Sequence, residues 1–134
     1  MKSIFTNKES FKTAYSAALK DRYNLTVKEA TMSQLYQTLA SLVNANLDKN
    51  YDATNKYVKD NNLKKTIYFS MEFLMGRLIT NNLQNSGYYN VVKEAFADFN
   101  IDLNKVEDAE ADTGLGNGGL GRIAACFLDS AASI

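Results

Sequence analysis

The chain has 134 residues, of which 46% are hydrophobic, and this is enough for one compact unit but not for two domains. Fifteen basic and fifteen acidic residues cancel, and basic residues cluster no further than pairs such as Lys64-Lys65, so neither nucleic acid nor an anionic membrane is an expected partner. No apolar run approaches the roughly 18 residues of a membrane-spanning helix, and the first residues lack the apolar core of a signal peptide. We therefore expect a cytoplasmic protein.

The chain contains no histidine and a single cysteine, Cys126. Without histidine there is no sequence basis for a zinc site or for a Ser-His or Cys-His catalytic pair, so no metal site is predicted. Cys126 lies in the apolar run 123–128, and this environment predicts a buried, unreactive thiol.

Helical spacing of apolar residues covers most of the chain. A first helix can be capped by Asn7 or Ser10. Thr26 and Glu29 have the spacing of a capping box, which predicts that the second helix starts there and continues to near Asn61. Further helices are predicted over residues 72–83, with Gly87 after them, over 89–99, after Asp102 and from Gly119 onward.

One stretch has the period of a strand instead. Residues 65–71 alternate, with Ile67, Phe69 and Met71 on one side, and they are rich in residues that favour strands. The predicted fold is therefore mainly α, with about five to six helices and one short strand near 65–71. A lone strand leaves its backbone unpaired, and the chain stops within a helix at Ile134. We therefore expect residues 1–134 to be the N-terminal piece of a longer chain.

Five of the seven glycines lie between residues 114 and 121, in the sequence GLGNGGLGR. The spacing satisfies G-x-G-x-x-G, but the acidic residues before it do not resemble a buried strand, and neither Lys-Ser nor Lys-Thr follows it. These contexts disfavour a dinucleotide, Walker or kinase loop. Uncovered amides at the start of a helix still suit a phosphate group. The alternative is that the glycines only permit a tight loop and close helix packing.

The densest acidic run comprises Glu107, Asp108, Glu110 and Asp112. It could serve as a metal-binding or acid/base group. Because it lacks histidine and a fixed ligand spacing, we favour a solvated helix face.

Two strings carry a family resemblance: YFSMEFLMGR at residues 68–77 and GLGNGGLGRIAACFLDS at residues 114–130. They resemble the N-terminal part of the glycogen/starch/maltodextrin phosphorylase family. The resemblance implies an α-1,4-glucan phosphorylase, a glycosyltransferase of glycogen degradation that uses inorganic phosphate to release glucose 1-phosphate. It also implies that residues 1–134 are part of the N-terminal lobe of a two-lobed α/β glycosyltransferase B fold.

The resemblance also assigns site residues. Asn117, Gly118, Gly119 and Leu120 match the loop that binds the phosphate and glucosyl groups. Glu72 matches a motif near the catalytic cleft, so the resemblance makes it the candidate catalytic residue of this chain. The family's cofactor is pyridoxal phosphate, but its lysine lies later in the family's chain, so this fragment is expected to bind no cofactor and to be inactive alone. The implied partners are a glucan polymer, inorganic phosphate and, for the full-length enzyme, a second subunit.

Two positions depart from the animal members of the family. Leu74 and Lys59 stand where those enzymes carry tyrosines, and the few residues before the first helix leave no room for a phosphorylatable tail. We therefore expect a bacterial-type member without allosteric control by phosphorylation or AMP. A functional alternative of another class is a free-standing small helical module that binds a protein or phosphate.

Overall fold

The computed structural model describes residues 3–133, so Met1 and the predicted chain end at Ile134 lie outside the described residues. The mainly α fold is confirmed, with six helices and two short strands in this range. In chain order these are α1 (Lys8–Tyr23), α2 (Met32–Asp60), β1 (Phe73–Gly76), α3 (Ile79–Asn85), α4 (Tyr89–Asp98), α5 (Leu103–Glu107), β2 (Thr113–Leu115) and α6 (Gly119–Ser133). Among residues 3–133, no helix combines the length and apolarity needed to span a bilayer.

A helical core joins α1 to α2, α4 and α5. Phe11 and Tyr15 of α1 are fully buried in it, and the ring of Tyr15 packs edge-on against that of Phe96 at a centroid distance of 5.1 Å. The hydroxyl of Tyr15 donates to the carbonyl of Leu35 at 2.8 Å, which fixes α1 against α2. Burial raises the pKa of Tyr15, so this hydroxyl keeps its proton and remains a donor.

Several predicted helix ends are confirmed. The side chain of Asn7 caps α1 by accepting from the amide of Ser10 at 2.8 Å, and Asp102 caps α5 by accepting from Asn104 at 3.0 Å. Gly87 follows α3 with a φ of 74°, a left-handed conformation that suits glycine. These ends are set by side chains within a few residues of the helix.

The predicted start of the second helix is wrong by five residues, since the capping residue is Thr31 and not Thr26. The hydroxyl of Thr26 donates to the carboxylate of Glu29 at 2.7 Å instead of accepting from an amide, and the two residues form an isolated turn. The capping box is formed by Thr31 and Gln34. There the Gln34 amide donates to the Thr31 hydroxyl at 3.3 Å, and the Gln34 side chain accepts from the Thr31 amide at 2.9 Å.

The predicted strand is also misplaced. Residues 65–71 have no regular secondary structure, whereas β1 follows at Phe73–Gly76 and replaces the start of the helix predicted over 72–83. β1 pairs antiparallel with β2, a three-residue strand that the sequence analysis missed. A strand needs a partner for its backbone groups, so pairing decides where a strand forms. In the described residues, β1 pairs with β2, whereas residues 65–71 have no partner strand.

The last helix, α6, packs against β1 and not against the helical core. Its small residues Gly121, Ala124 and Ala125 are buried there. The large apolar residues on the rest of its surface, among them Ile123 and Phe127, are about half exposed, at 52% and 56%. Cys126 is exposed as well, so the prediction of a buried thiol is wrong.

The Thr31→Ala variant removes the side-chain acceptor at the start of α2. We expect the free energy of unfolding to fall by about 1 kcal/mol, which urea titration monitored by circular dichroism can measure. Thr26→Ala is the matched control and should cost clearly less, because its hydroxyl caps no helix. A loss in Thr26→Ala that equals or exceeds the loss in Thr31→Ala would contradict this assignment.

Candidate functional site

The candidate site is the glycine loop, residues 116–120, which connects β2 to α6 and includes the first two residues of α6. The pairing of β1 with β2 determines where it lies. Phe73 is opposite Leu115 and Leu74 is opposite Gly114, so the end of β2 lies beside the start of β1. The residue that precedes β1, Glu72, is thereby brought next to the loop.

The carboxylate of Glu72 caps the first turn of α6. Its Oε2 accepts from the amide of Gly118 at 3.2 Å and from that of Gly121 at 3.1 Å, across 46 and 49 residues of chain. The Ser70 hydroxyl, which donates to the Glu72 carbonyl at 2.8 Å, holds the preceding turn in place. A negative carboxylate at the N-terminus of a helix interacts favourably with the helix dipole. The structure therefore brings together two predicted site residues, Glu72 and Gly118.

Three of the glycines are required by close packing. Gly116 has a φ of 97°, and a Cβ there would overlap the side chain of Glu72. A Cβ on Gly121 would lie 2.8 Å from Leu74 Cγ, and one on Gly114 would lie 3.3 Å from Leu74 Cδ2. At these three positions the structure supports the packing interpretation of the cluster.

The other side of the glycine loop is open. A Cβ on Gly119 would meet nothing within 4 Å, and Asn117, Gly119 and Leu120 are exposed. Within residues 3–133, the amides of these three residues have no hydrogen-bond acceptor. They are the donors of the loop that a bound group can use.

The charge around the glycine loop limits what it can bind alone. Glu72 already places one negative charge at the start of α6, and this charge opposes a second anion nearby. After Lys105, the only basic residue of the sequence is Arg122, whose side chain is exposed. Within residues 106–134, only Arg122 could offset the charge of a phosphate bound at the open amides.

The acidic run before β2 is structural, and its interpretation as a solvated face is wrong for Glu110. That residue is 7% exposed, and its carboxylate accepts from the amides of Leu78 at 2.9 Å and Ile79 at 3.1 Å, at the start of α3. Asp108 pairs with Arg77 at 2.8 Å. In the part of the chain that the structure describes, no group of acidic, cysteine and histidine residues could hold a metal ion.

The carboxylate of Glu107 has a less favourable environment than that of Glu110. Within the described residues, its Oε1 is buried without a hydrogen-bond partner. Burial raises the pKa of Glu107, and the nearby charges of Asp108 and Glu110 act in the same direction, while a hydrogen bond from Thr80 opposes them. The charged form of Glu107 is therefore destabilised by folding.

The chain is similar to known carbohydrate phosphorylases. The family model for carbohydrate phosphorylases matches residues 96–134. The chain is 38% identical to the glycogen phosphorylase of Bacillus subtilis (strain 168) over 131 residues, which are 98% of this chain and 16% of that protein. It is 41% identical to the maltodextrin phosphorylase of Streptococcus pneumoniae over 116 residues, 87% of this chain and 14% of that protein.

A mammalian relative shows similar identity over a shorter range. The chain is 42% identical to the liver form of human glycogen phosphorylase over 105 residues, 78% of this chain and 12% of that protein. The chain therefore spans about one-sixth or less of the length of the curated relatives that it matches.

A pair of alanine variants separates packing glycines from open ones. Gly121→Ala places a methyl group against Leu74, so we expect the free energy of unfolding to fall by about 1–3 kcal/mol. Gly119→Ala, in the same helical turn, enters open space and should change it by no more than about 0.5 kcal/mol. Urea titration of both variants provides the measurement, and equal losses would refute the distinction.

The Glu107→Gln variant tests the buried carboxylate. Because folding raises the pKa of Glu107, its penalty is absent below the unfolded-state pKa and is complete once the pH exceeds the folded-state pKa. Replacement by Gln should therefore raise stability at pH 7 by up to about 1 kcal/mol, a gain limited by solvent screening at this partly exposed site. Urea titrations at pH 7 and pH 4 measure it, and the gain should vanish at the lower pH.

Asp112→Asn is the control for loss of an acidic residue from the same run, since Asp112 is exposed, its Oδ1 lies 3.7 Å from Arg77 Nε, and its charge is not among those that raise the pKa of Glu107. It should not stabilise the protein at pH 7. A Glu107→Gln gain that is as large at pH 4 as at pH 7 would contradict a cost that arises from the charge.

Proposed function

Because this chain belongs to the carbohydrate phosphorylase family, we propose that it forms part of the N-terminal lobe of an α-1,4-glucan phosphorylase. In that reaction the bond between C1 of the terminal glucose and its glycosidic oxygen breaks, and C1 bonds to a phosphate oxygen. The oxygen that leaves with the shortened glucan takes up a proton. The products are glucose 1-phosphate and a glucan that is one unit shorter.

In this proposal the glycine loop binds the phosphate and glucosyl groups through backbone amides. Asn117, Gly118, Gly119 and Leu120 are the residues concerned. The observation that carries the proposal is the set of exposed amides at Asn117, Gly119 and Leu120, which lie at the start of α6 without acceptors among the described residues. Helix N-termini favour anions because their amides are unpaired and the helix dipole is positive there.

Glu72 has a positioning role in this proposal. Its carboxylate accepts from Gly118 and Gly121 and so orients the loop from behind, next to the substrate but without taking its proton. The sequence predicts Glu72 to be a catalytic residue near the cleft, and here we propose that it is a positioning residue instead. Gly118 is proposed to hold the loop in place and not to bind substrate through its amide, because that amide already donates to Glu72.

Pyridoxal phosphate is proposed as the cofactor of the full-length enzyme, where its phosphate group would supply acid/base chemistry. The residues of this chain do not fit the cofactor by themselves. No lysine lies in β2, the glycine loop or α6, and Arg122 is the only basic residue of these segments. The lysine and the phosphate-binding cations are assigned to the rest of the phosphorylase chain, so this fragment alone is proposed to be inactive.

The remaining expectations belong to the same proposal. The full-length protein is proposed to be a cytoplasmic homodimer that acts on glycogen or maltodextrin. The absence of control by phosphorylation and AMP stays a prediction. Similarity to long enzymes over 98% of the chain supports this role more than that of a free-standing helical module.

The test is a hybrid enzyme in which this chain replaces the matching segment of the Bacillus subtilis relative. We expect phosphate-dependent release of glucose 1-phosphate from maltodextrin by the hybrid with its cofactor bound. A hybrid that folds and binds the cofactor, yet releases no glucose 1-phosphate, would refute the proposal. The 134-residue chain by itself is the negative control.

Two substitutions at one position test the role of the open amides. Gly119 is the first residue of α6, where proline is well tolerated in helices, so Gly119→Pro removes one amide donor with little disturbance. Loss of one hydrogen bond to a charged group costs about 1.5–3 kcal/mol, so kcat/KM for phosphate in the hybrid should fall by about 10–150-fold. Gly119→Ala keeps the amide and is the control.

Unchanged kcat/KM in a folded Gly119→Pro hybrid would show that this amide does not bind substrate. Equal losses in the Pro and Ala variants would assign the effect to steric crowding instead.

A further inference from the structure

The pairing between β1 and β2 is short for a contact that positions a site. In the described residues, three residue pairs join the two strands, and the register shifts between Leu74 and Gly76. Two-stranded ribbons are only marginally stable in water, and a register that few pairs define can slip by one residue. Contacts beyond the backbone pairs are therefore needed to hold the strands in this register.

Side chains continue the pairing beyond the last backbone pair, which joins Gly76 to Thr113. The same register extended by one residue places Arg77 opposite Asp112. Arg77 Nε lies 3.7 Å from Asp112 Oδ1, in agreement with that register. Arg77 Nη1 also donates to Asp108 Oδ1 at 2.8 Å. One guanidinium therefore contacts two carboxylates of the segment that leads into β2.

Glu110 makes the most buried of these contacts. In the same register it is opposite Ile79, and its two carboxylate oxygens accept from the amides of Leu78 and Ile79. Because Glu110 is buried, water screens these charge-assisted hydrogen bonds only weakly. The amide of Glu110 donates to the carbonyl of Glu107 at 3.1 Å, so the backbone is held as well. We call four residues the register clamp: Arg77, Asp108, Glu110 and Asp112.

The glycine loop follows the register clamp closely in the chain. Only the three residues of β2 separate Asp112 from Gly116, where the loop begins. A slip of one residue would move the loop by about 3.4 Å relative to Glu72. It would also place a residue with a side chain opposite Leu74 instead of Gly114, where a Cβ would lie only 3.3 Å from Leu74 Cδ2. The register therefore determines where the open amides lie.

We propose that Glu110 is a positioning residue for phosphorolysis, because it fixes the register of β1 with β2 and thereby places the open amides of the glycine loop. The inference rests on the proposed function of that loop. Glu110 acts through β2 and not on the substrate itself. A displacement of about 1 Å in the groups that hold a substrate is enough to lower the rate strongly, since the reaction depends on their alignment.

The first test measures phosphate kinetics in the hybrid with the Bacillus subtilis relative. Glu110→Gln keeps the size of the side chain but leaves one oxygen for two amides. We expect kcat/KM for phosphate to fall by about 10–100-fold, with most of the change in KM. A variant that merely unfolds part of the enzyme lowers the apparent kcat and leaves KM unchanged, because the remaining folded molecules are normal. The rise in KM therefore separates positioning from loss of stability.

Two further variants complete the comparison. Glu107→Gln is the matched control, because it makes the same chemical change outside the register clamp, and it should leave KM for phosphate unchanged. Arg77→Met removes the two exposed ion pairs of the clamp and should raise KM by about 2–5-fold in a folded protein. It decides the question if Glu110→Gln does not fold. An unchanged KM in every folded clamp variant would overturn the inference.

Hydrogen exchange in the 134-residue chain provides a test without enzymatic activity. The amides of Gly118 and Gly121, which donate to Glu72, should exchange at least about 10-fold faster in Glu110→Gln. Amides in the middle of α1 should not change, whereas a global loss of stability would accelerate both sets. Equal acceleration of both sets, or none at the two glycines, would overturn the inference. An inactive unmodified hybrid would refute the proposed function alone, and exchange would still decide whether Glu110 sets the register.

Discussion

The contact of the Glu72 carboxylate with the amides of Gly118 and Gly121 is the interaction on which the second half of the structure depends. It joins β1, β2 and α6 at one point, because Glu72 precedes the first strand and the amides begin the helix. The glycines at 116 and 121 allow this approach, since a Cβ on either would collide with Glu72 or Leu74. Without it, the first turn of α6 would lack its anionic partner.

The two parts of the structure differ in how fully they bury their large apolar side chains. The helical core is closed, with Phe11, Tyr15 and Phe96 fully buried. The layer formed by the two strands and α6 buries small residues inside and leaves large apolar residues outside, the reverse of an isolated amphipathic helix. The glycine loop lies on this second layer, which also carries the exposed apolar residues Leu120, Ile123 and Phe127.

Local features made much of the fold predictable from the sequence. The caps at Asn7 and Asp102 and the stop at Gly87 all involve residues only a few positions apart. The start of α2 was mispredicted, because a threonine with a glutamate three residues later suits an isolated turn as well as a cap. The difference is that the Thr31 hydroxyl also accepts from the amide three residues on, whereas the Thr26 hydroxyl only donates to the Glu29 carboxylate.

By itself, therefore, the sequence determined the helices, the mainly α class and the family, since periodicity, caps and the strings at 68–77 and 114–130 are readable along the chain. Only the tertiary structure decided that β1 pairs with β2, that Glu110 caps α3 and that Cys126 is exposed. It also divided the glycines into those that pack and those that leave amides open. Some of these features depend on contacts between groups more than 30 residues apart, and others depend on which face of a helix is packed against another element. Local sequence patterns indicate neither.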